Sequence, residues 1–267
     1  MFEKMLLGRY VQIDSWVHRL DPRTKLMATL FFIVIIFLAD NWLSYALLTL
    51  VVLFAIKLSN IDAKFFFNGV KPMIWLILFT VVFQLLFTTG GEIYFKFWIF
   101  QITSLGVLNA IFMFVRLVLI IMMSTLLTLT TAPLELTDGI EHMLRPLSKI
   151  GFPSHEIALM LSIALRYVPT LMDEALKIMN AQRARGVEFD EGNFIDRVKA
   201  MIPILIPLFV SAFNRAEEMA IAMEARGYQG GEGRTKYRQL AYSKNDAIVW
   251  ATFIVLTLGL MGLKIWM

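Results

Sequence analysis

Residues 105–130, LGVLNAIFMFVRLVLIIMMSTLLTLT, carry a single ionisable side chain, Arg116. About 20 largely apolar residues cross roughly 30 Å of hydrocarbon as a helix, so this stretch predicts a membrane span. Toward the N-terminus, residues 72–87 predict another, opened by a proline at a position that a helix start tolerates and ended by Thr88-Thr89-Gly90-Gly91-Glu92. Residues 26–39 and 42–56 are shorter, and the polar pair Asp40-Asn41 between them predicts a tight turn and a helical hairpin. Residues 248–266 supply a fifth span. The expected fold class is an all-α integral membrane protein of about five transmembrane helices, with long cytoplasmic amphipathic helices inserted before the last one.

Composition agrees. The 267 residues are 58% hydrophobic and 17% charged, with a mean hydropathy of +0.68, more apolar than a soluble domain of ordinary usage. The charges cluster between apolar runs. A net charge of +4 therefore reflects Lys and Arg flanking spans and not a nucleic-acid surface, and no nucleic-acid partner is expected. Arg9, Arg19, Arg23 and Lys25 precede the first span, and Lys57, Lys64 and Lys71 lie between the second and third. By the positive-inside rule both groups face the cytoplasm, leaving only Lys96 outside apart from Lys264 near the C-terminus. The N-terminus is then cytoplasmic, the C-terminus outside, and the location a cell membrane. No removable signal peptide is visible in the first twenty residues. There is no cysteine, which excludes disulfides, thiolate metal sites and cysteine nucleophiles.

The organisation expected is residues 1–131 as the N-terminal region with four spans, 132–246 as a cytoplasmic module, and 247–267 as the last span. In that module residues 157–165 end at Arg166, and residues 200–213 are too short for a span and contain Pro203 and Pro207, which should break the helix twice. Two long helices along the membrane surface are expected, 154–185 and 194–226, with a shorter amphipathic piece, 134–150, leading in. A re-entrant hairpin is the alternative topology. In the first long helix Leu171, Ala175 and Ile178 mark one face, and Asp173, Glu174, Lys177 and Asn180 another.

Each long helix ends on the same tripeptide. Ala184-Arg185-Gly186 and Ala225-Arg226-Gly227 lie 41 residues apart, and that shift also superposes Ala175 on Ala216 and Ala181 on Ala222. Glycine after a helix supplies the left-handed turn that ends it. The preceding arginine projects from the last turn and can fork onto a carboxylate, while alanine permits close approach. One copy is ordinary helix termination; two copies at equivalent ends point to a docking role. No GxxxxGK[ST] loop occurs, and residues 231–236, GEGRTK, lack the order needed to cradle phosphates. ATP hydrolysis is not expected of this chain.

With these motifs in view the chain resembles the transmembrane T component (EcfT) of energy-coupling factor transporters. The resemblance covers nearly the whole chain and rests on Leu20-Asp21-Pro22-Arg23-Thr24-Lys25, Arg166-Tyr167-Val168-Pro169 and both Ala-Arg-Gly ends. It implies coupling helices whose Ala-Arg-Gly ends dock two ABC-type ATPases, with Arg185 and Arg226 matching the family's arginine. It further implies a membrane-embedded S component, one or several exchangeable ones, that captures a vitamin or metal ion. On this reading the chain binds no cofactor, and ATP and Mg belong to the partner ATPases.

Arg116, Arg166, Met160, Met172 and Met201 are the candidate contacts, either with a partner or within the bundle. A charge inside a span must face protein or water, and methionine suits surfaces that repack. Gln84 and Asn109 suit hydrogen bonds between helices. His18, His142 and His155 are isolated from one another, so no metal site is expected. No catalytic cluster is seen. The alternative function is a self-contained channel or secondary transporter, for which Arg116 is the one charged candidate near the midplane.

Overall fold

The structure is a computed structural model and describes residues 10–97, 100–146, 151–189, 193–230 and 240–266. Residues 147–150, expected to finish the lead-in helix, and 231–236, inspected for a phosphate loop, lie outside the described residues. The chain falls into two compact units, Met1–Gly139 with Gln239–Met267, and Ile140–Arg238.

The first unit begins with α1 (Pro22–Ile35), prolonged by a 3₁₀ turn to Leu38, and α2 (Trp42–Leu58). Asp40 and Asn41 lie between them, as the polar pair predicts. Helix α3 (Ala63–Val70) runs through a 3₁₀ turn at Lys71–Met73 into α4 (Ile74–Phe87). Pro72 therefore does not open the third span. It lacks an N–H for the α-helical ladder, so the helix tightens locally and continues, and the whole stretch Ala63–Phe87 is helical. The strands β1 (Ile93–Phe97) and β2 (Phe100–Thr103) pair antiparallel, the exception in a nearly all-α chain. Helix α5 (Ser104–Thr130) follows, then α6 (Pro133–Leu144); α9 (Lys244–Trp266) closes the unit after the second unit's helices.

Among the described residues three helical stretches are long and apolar enough to cross a membrane: Ala63–Phe87, Ser104–Thr130 and Lys244–Ile265. Trp42–Leu58 is apolar but shorter, and α1 is shorter again. Phe32, Ile35, Leu48, Leu119, Leu256 and Leu260 form the centre of the unit, each at most 5% exposed. Outward, Trp75 is 81% exposed and Val255 70%, the pattern of a protein whose surface lipid covers.

The start of α1 is a buried polar knot. Asp21 accepts from the backbone N–H of Arg23 at 2.9 Å, capping the helix, and pairs with the Arg23 guanidinium at 2.9 and 3.0 Å. Asp246 of α9 accepts from the Asp21 backbone at 3.0 Å and from the Ser243 hydroxyl at 2.7 Å. Lys25 donates to the carbonyls of Thr130 and His18 at 2.8 and 3.0 Å. Arg23 and Lys25, expected as cytoplasmic charges preceding the first span, are 8% and 6% exposed. Asp246 joins the beginnings of α1 and α9, and Lys25 joins α1 to the end of α5.

The second unit contains α7 (Ser154–Ala184) and α8 (Phe194–Ala225). Both are continuous through their prolines, Pro169, Pro203 and Pro207. The expected double break in α8 does not occur, because a proline removes one backbone bond of the ladder and leaves the neighbouring turns to hold. Asn193 opens α8 with a capping box to Asp196, satisfying donors that the first turn leaves free.

Candidate functional site

Helices α7 and α8 pack side by side in opposite senses. Tyr167 donates to the Met219 sulfur at 3.2 Å, while about two turns further along α7, Glu174 meets residues earlier on α8. The Ser211 hydroxyl donates to one Glu174 oxygen, and Arg215 pairs with the other at 3.4 Å. Arg215 also lies over the Tyr167 ring, 5.4 Å from its centroid. The sequence pattern sets Glu174 with Asp173, Lys177 and Asn180 on a face other than that of Leu171, Ala175 and Ile178. Glu174 is, however, three residues after Leu171 and four before Ile178, which places it on their face, and the structure turns it onto α8.

The two helix ends are built alike. Gly186 N donates to Arg183 O at 3.0 Å and Val187 N to Gln182 O at 3.1 Å; Gly227 N donates to Glu224 O at 2.9 Å and Tyr228 N to Met223 O at 3.0 Å. Each is a Schellman motif, with its glycine left-handed at φ +86° and +71°. Apart from the glycine itself and its chain neighbours, no atom stands within 4 Å of where a Cβ would be at either position. Backbone conformation, not crowding, is what calls for glycine there.

Arg185 and Arg226 sit at the C-caps with near-identical dihedrals, φ −89° ψ 5° and φ −89° ψ 7°. Both tripeptides are exposed throughout. Among the described residues neither arginine has a side-chain partner, so each guanidinium keeps all its donors.

The structure does not gather the remaining candidates into one place. Arg166 and Met160 of α7 and Met201 of α8 are exposed, and Met172 is half-buried. Met201 stands on a long apolar flank of α8 with Ile202, Leu205, Ile206 and Phe209, all between 48% and 64% exposed. Arg116 is in the other unit, where it donates to the Tyr45 hydroxyl at 2.7 Å and the Ala39 carbonyl at 3.3 Å. Among the described residues no group of three His, Cys, Asp or Glu side chains could hold a metal.

Glu174, Ser211 and Arg215 were not identified from sequence as a unit. Their signal was present: the 41-residue shift that carries Arg185 onto Arg226 also carries Glu174 onto Arg215, and opposite charges at matching positions of two helices can pair where they cross.

Comparison with known proteins completes the description. The family model described as cobalt transport protein (CbiQ) matches residues 14–237. The energy-coupling factor transporter transmembrane protein EcfT of Lactococcus lactis subsp. cremoris is 55% identical over 97% of this chain and 97% of its own length. EcfT 1 of Listeria monocytogenes is 56% identical over 99% of each chain, and EcfT of Bacillus subtilis is 51% identical over 99% of this chain and 100% of its own.

Proposed function

Because the chain belongs to the EcfT family of energy-coupling factor transporter transmembrane proteins, we propose that it is the scaffold on which two ABC-type ATPases drive a membrane-embedded S component. Arg185 and Arg226 dock the ATPases, one each. The observation that carries this reading is the pair of matched, exposed Schellman ends, each offering an unpaired guanidinium.

The spacing suits two motors. Each arginine lies eleven residues beyond its partner in the Glu174–Arg215 pair, roughly 17 Å along its own helix at 1.5 Å per residue. Because α7 and α8 run in opposite senses, the two ends stand on opposite sides of that pair. When the ATPases close on ATP, the ends are drawn toward one another and the helix pair tilts. The exposed apolar flank of α8 around Met201 faces the S component, which is reoriented to release a vitamin or metal ion. Nucleotide, Mg and hydrolysis belong to the partners, the coupling helices lie at the cytoplasmic surface, and the C-terminus is outside.

The test is to replace Arg185 and Arg226 with glutamate, singly and together, and measure co-purification of the ATPases and cellular uptake. Single changes are expected to weaken assembly and the double change to abolish it. Unaltered assembly and uptake in the double variant would overturn the proposal.

A further inference from the structure

A polar cavity of about 320 Å³ lies in the first unit, lined by Asp40, Gln84, Asn109, Met113 and Arg116 together with Ala39 and Phe112. Its residues come from the 39–41 turn, the last turns of α4 and the first half of α5, so it sits toward the end of the bundle where those elements meet. The α2 helix of 17 residues is about 25 Å long and the α5 helix of 27 residues about 40 Å at 1.5 Å per residue. Ala39, in the turn before α2, accepts from Arg116, which stands twelve residues into α5, so that turn stops short of the start of α5 and leaves a notch at that end of the bundle.

Arg116 points into this region from mid-helix, its guanidinium held 5.0 Å from the centre of the Phe37 ring. A guanidinium has five N–H donors. One nitrogen of Arg116 serves both Tyr45 and Ala39, and the buried Nε–H has no partner among the described residues. The other charges at the notch cancel, since Asp40 pairs with Lys264 at 2.8 Å. What remains is one cation with unspent donors, flanked by the carboxamides of Gln84 and Asn109. A net charge at membrane depth needs a counterion, and phosphate oxygens match a guanidinium fork.

We propose that this notch binds the phosphate of an anionic phospholipid, drawn down beside the short hairpin. The test uses the complete transporter purified in mild detergent, stripped of lipid, and exposed separately to phosphatidylglycerol, phosphatidylcholine and inorganic phosphate, with bound lipid counted by native mass spectrometry. The native chain is expected to retain one phosphatidylglycerol more than Arg116→Gln, with affinity about tenfold higher, the scale of one charged hydrogen bond. Asn109→Leu, which leaves the Arg116–Tyr45 bond in place, is expected to weaken retention as well, so the idea stays testable if Arg116→Gln fails to assemble. Equal retention in the native chain and Asn109→Leu, or equal retention of phosphatidylcholine, would overturn it. Displacement of phosphatidylglycerol by the same concentration of inorganic phosphate would overturn the lipid assignment in favour of a free anion.

Discussion

Glu174 of α7 and Arg215 of α8 pair at 3.4 Å, and each stands eleven residues before the arginine that ends its helix. The ion pair thus marks the point about which the two helix ends are equivalent. Both side chains are about 30% exposed, at 28% and 31%. Such a pair contributes little to stability, about 1 kcal/mol at most, so its value lies in registering one helix against the other.

Exchanging the charges tests that register. Glu174→Gln and Arg215→Gln are each expected to reduce uptake several-fold while the ATPases still co-purify, because the helix ends proposed to dock them remain intact. The double exchange Glu174→Arg with Arg215→Glu is expected to restore much of the loss. Measuring uptake and co-purification in the same cells separates a register defect from a docking defect.

The glycines that end the helices are a second target. Gly186→Ala and Gly227→Ala each impose a left-handed backbone on a residue with a Cβ, at a cost of about 1–2 kcal/mol, with no neighbour to clash. The last turn should fray while the rest of the molecule is unaffected. Hydrogen exchange is expected to rise at 182–188 in the first variant and 223–229 in the second, with ATPase co-purification weakened in both.

The polar knot at the start of α1 predicts a contrast between two arginine pairs. Asp21→Ala leaves the buried Arg23 without its carboxylate, and a broken buried pair costs about 3–5 kcal/mol. The midpoint of thermal aggregation in detergent should fall clearly. Arg19→Ala removes a still shorter pair, 2.6 Å to Asp14, but its side chains are 68% and 69% exposed, and the midpoint should not move.

Acid should loosen the N-terminal segment through His18. Its ring nitrogens contact the Ser15 hydroxyl at 2.7 Å and the Val11 carbonyl at 3.0 Å. Burial, followed by opposing and reinforcing contributions from the Val11 carbonyl and the Lys25 charge, holds its pKa below the ordinary 6.5. The folded state therefore favours neutral histidine. Its contribution is complete above pH 6.5 and declines as pH falls through 6.5 toward the folded value. Limited proteolysis of residues 10–20 should accelerate between pH 7.5 and 5.5 in the native chain and show a flatter profile in His18→Gln.

Much of this architecture is legible in one dimension, for a physical reason. A bilayer demands long apolar runs, so α5 and α9 announce themselves by composition, and glycine after Arg185 and Arg226 signals left-handed turns that few other residues adopt. The turn at Asp40-Asn41 is equally local. The hairpin of β1 and β2 escaped because four or five residues give too short a pattern to stand against the surrounding apolar runs. The continuity of α8 through Pro203 and Pro207 escaped because the loss of one backbone bond is a local penalty that the remaining turns outweigh.

By itself the amino-acid sequence determined which segments are apolar enough for a membrane, where the two long helices stop, and that they stop on the same three residues. Those are properties of neighbours along the chain. Only tertiary structure decided that Glu174 meets Arg215 across two helices, that Arg23 and Lys25 are buried with Asp21 and Asp246, and that Arg116 keeps part of its hydrogen-bonding capacity beside a polar notch. Each of these depends on residues from 41 to 225 positions apart, or on a depth set by unequal helix lengths, and a charge shows its partner only after the chain has folded.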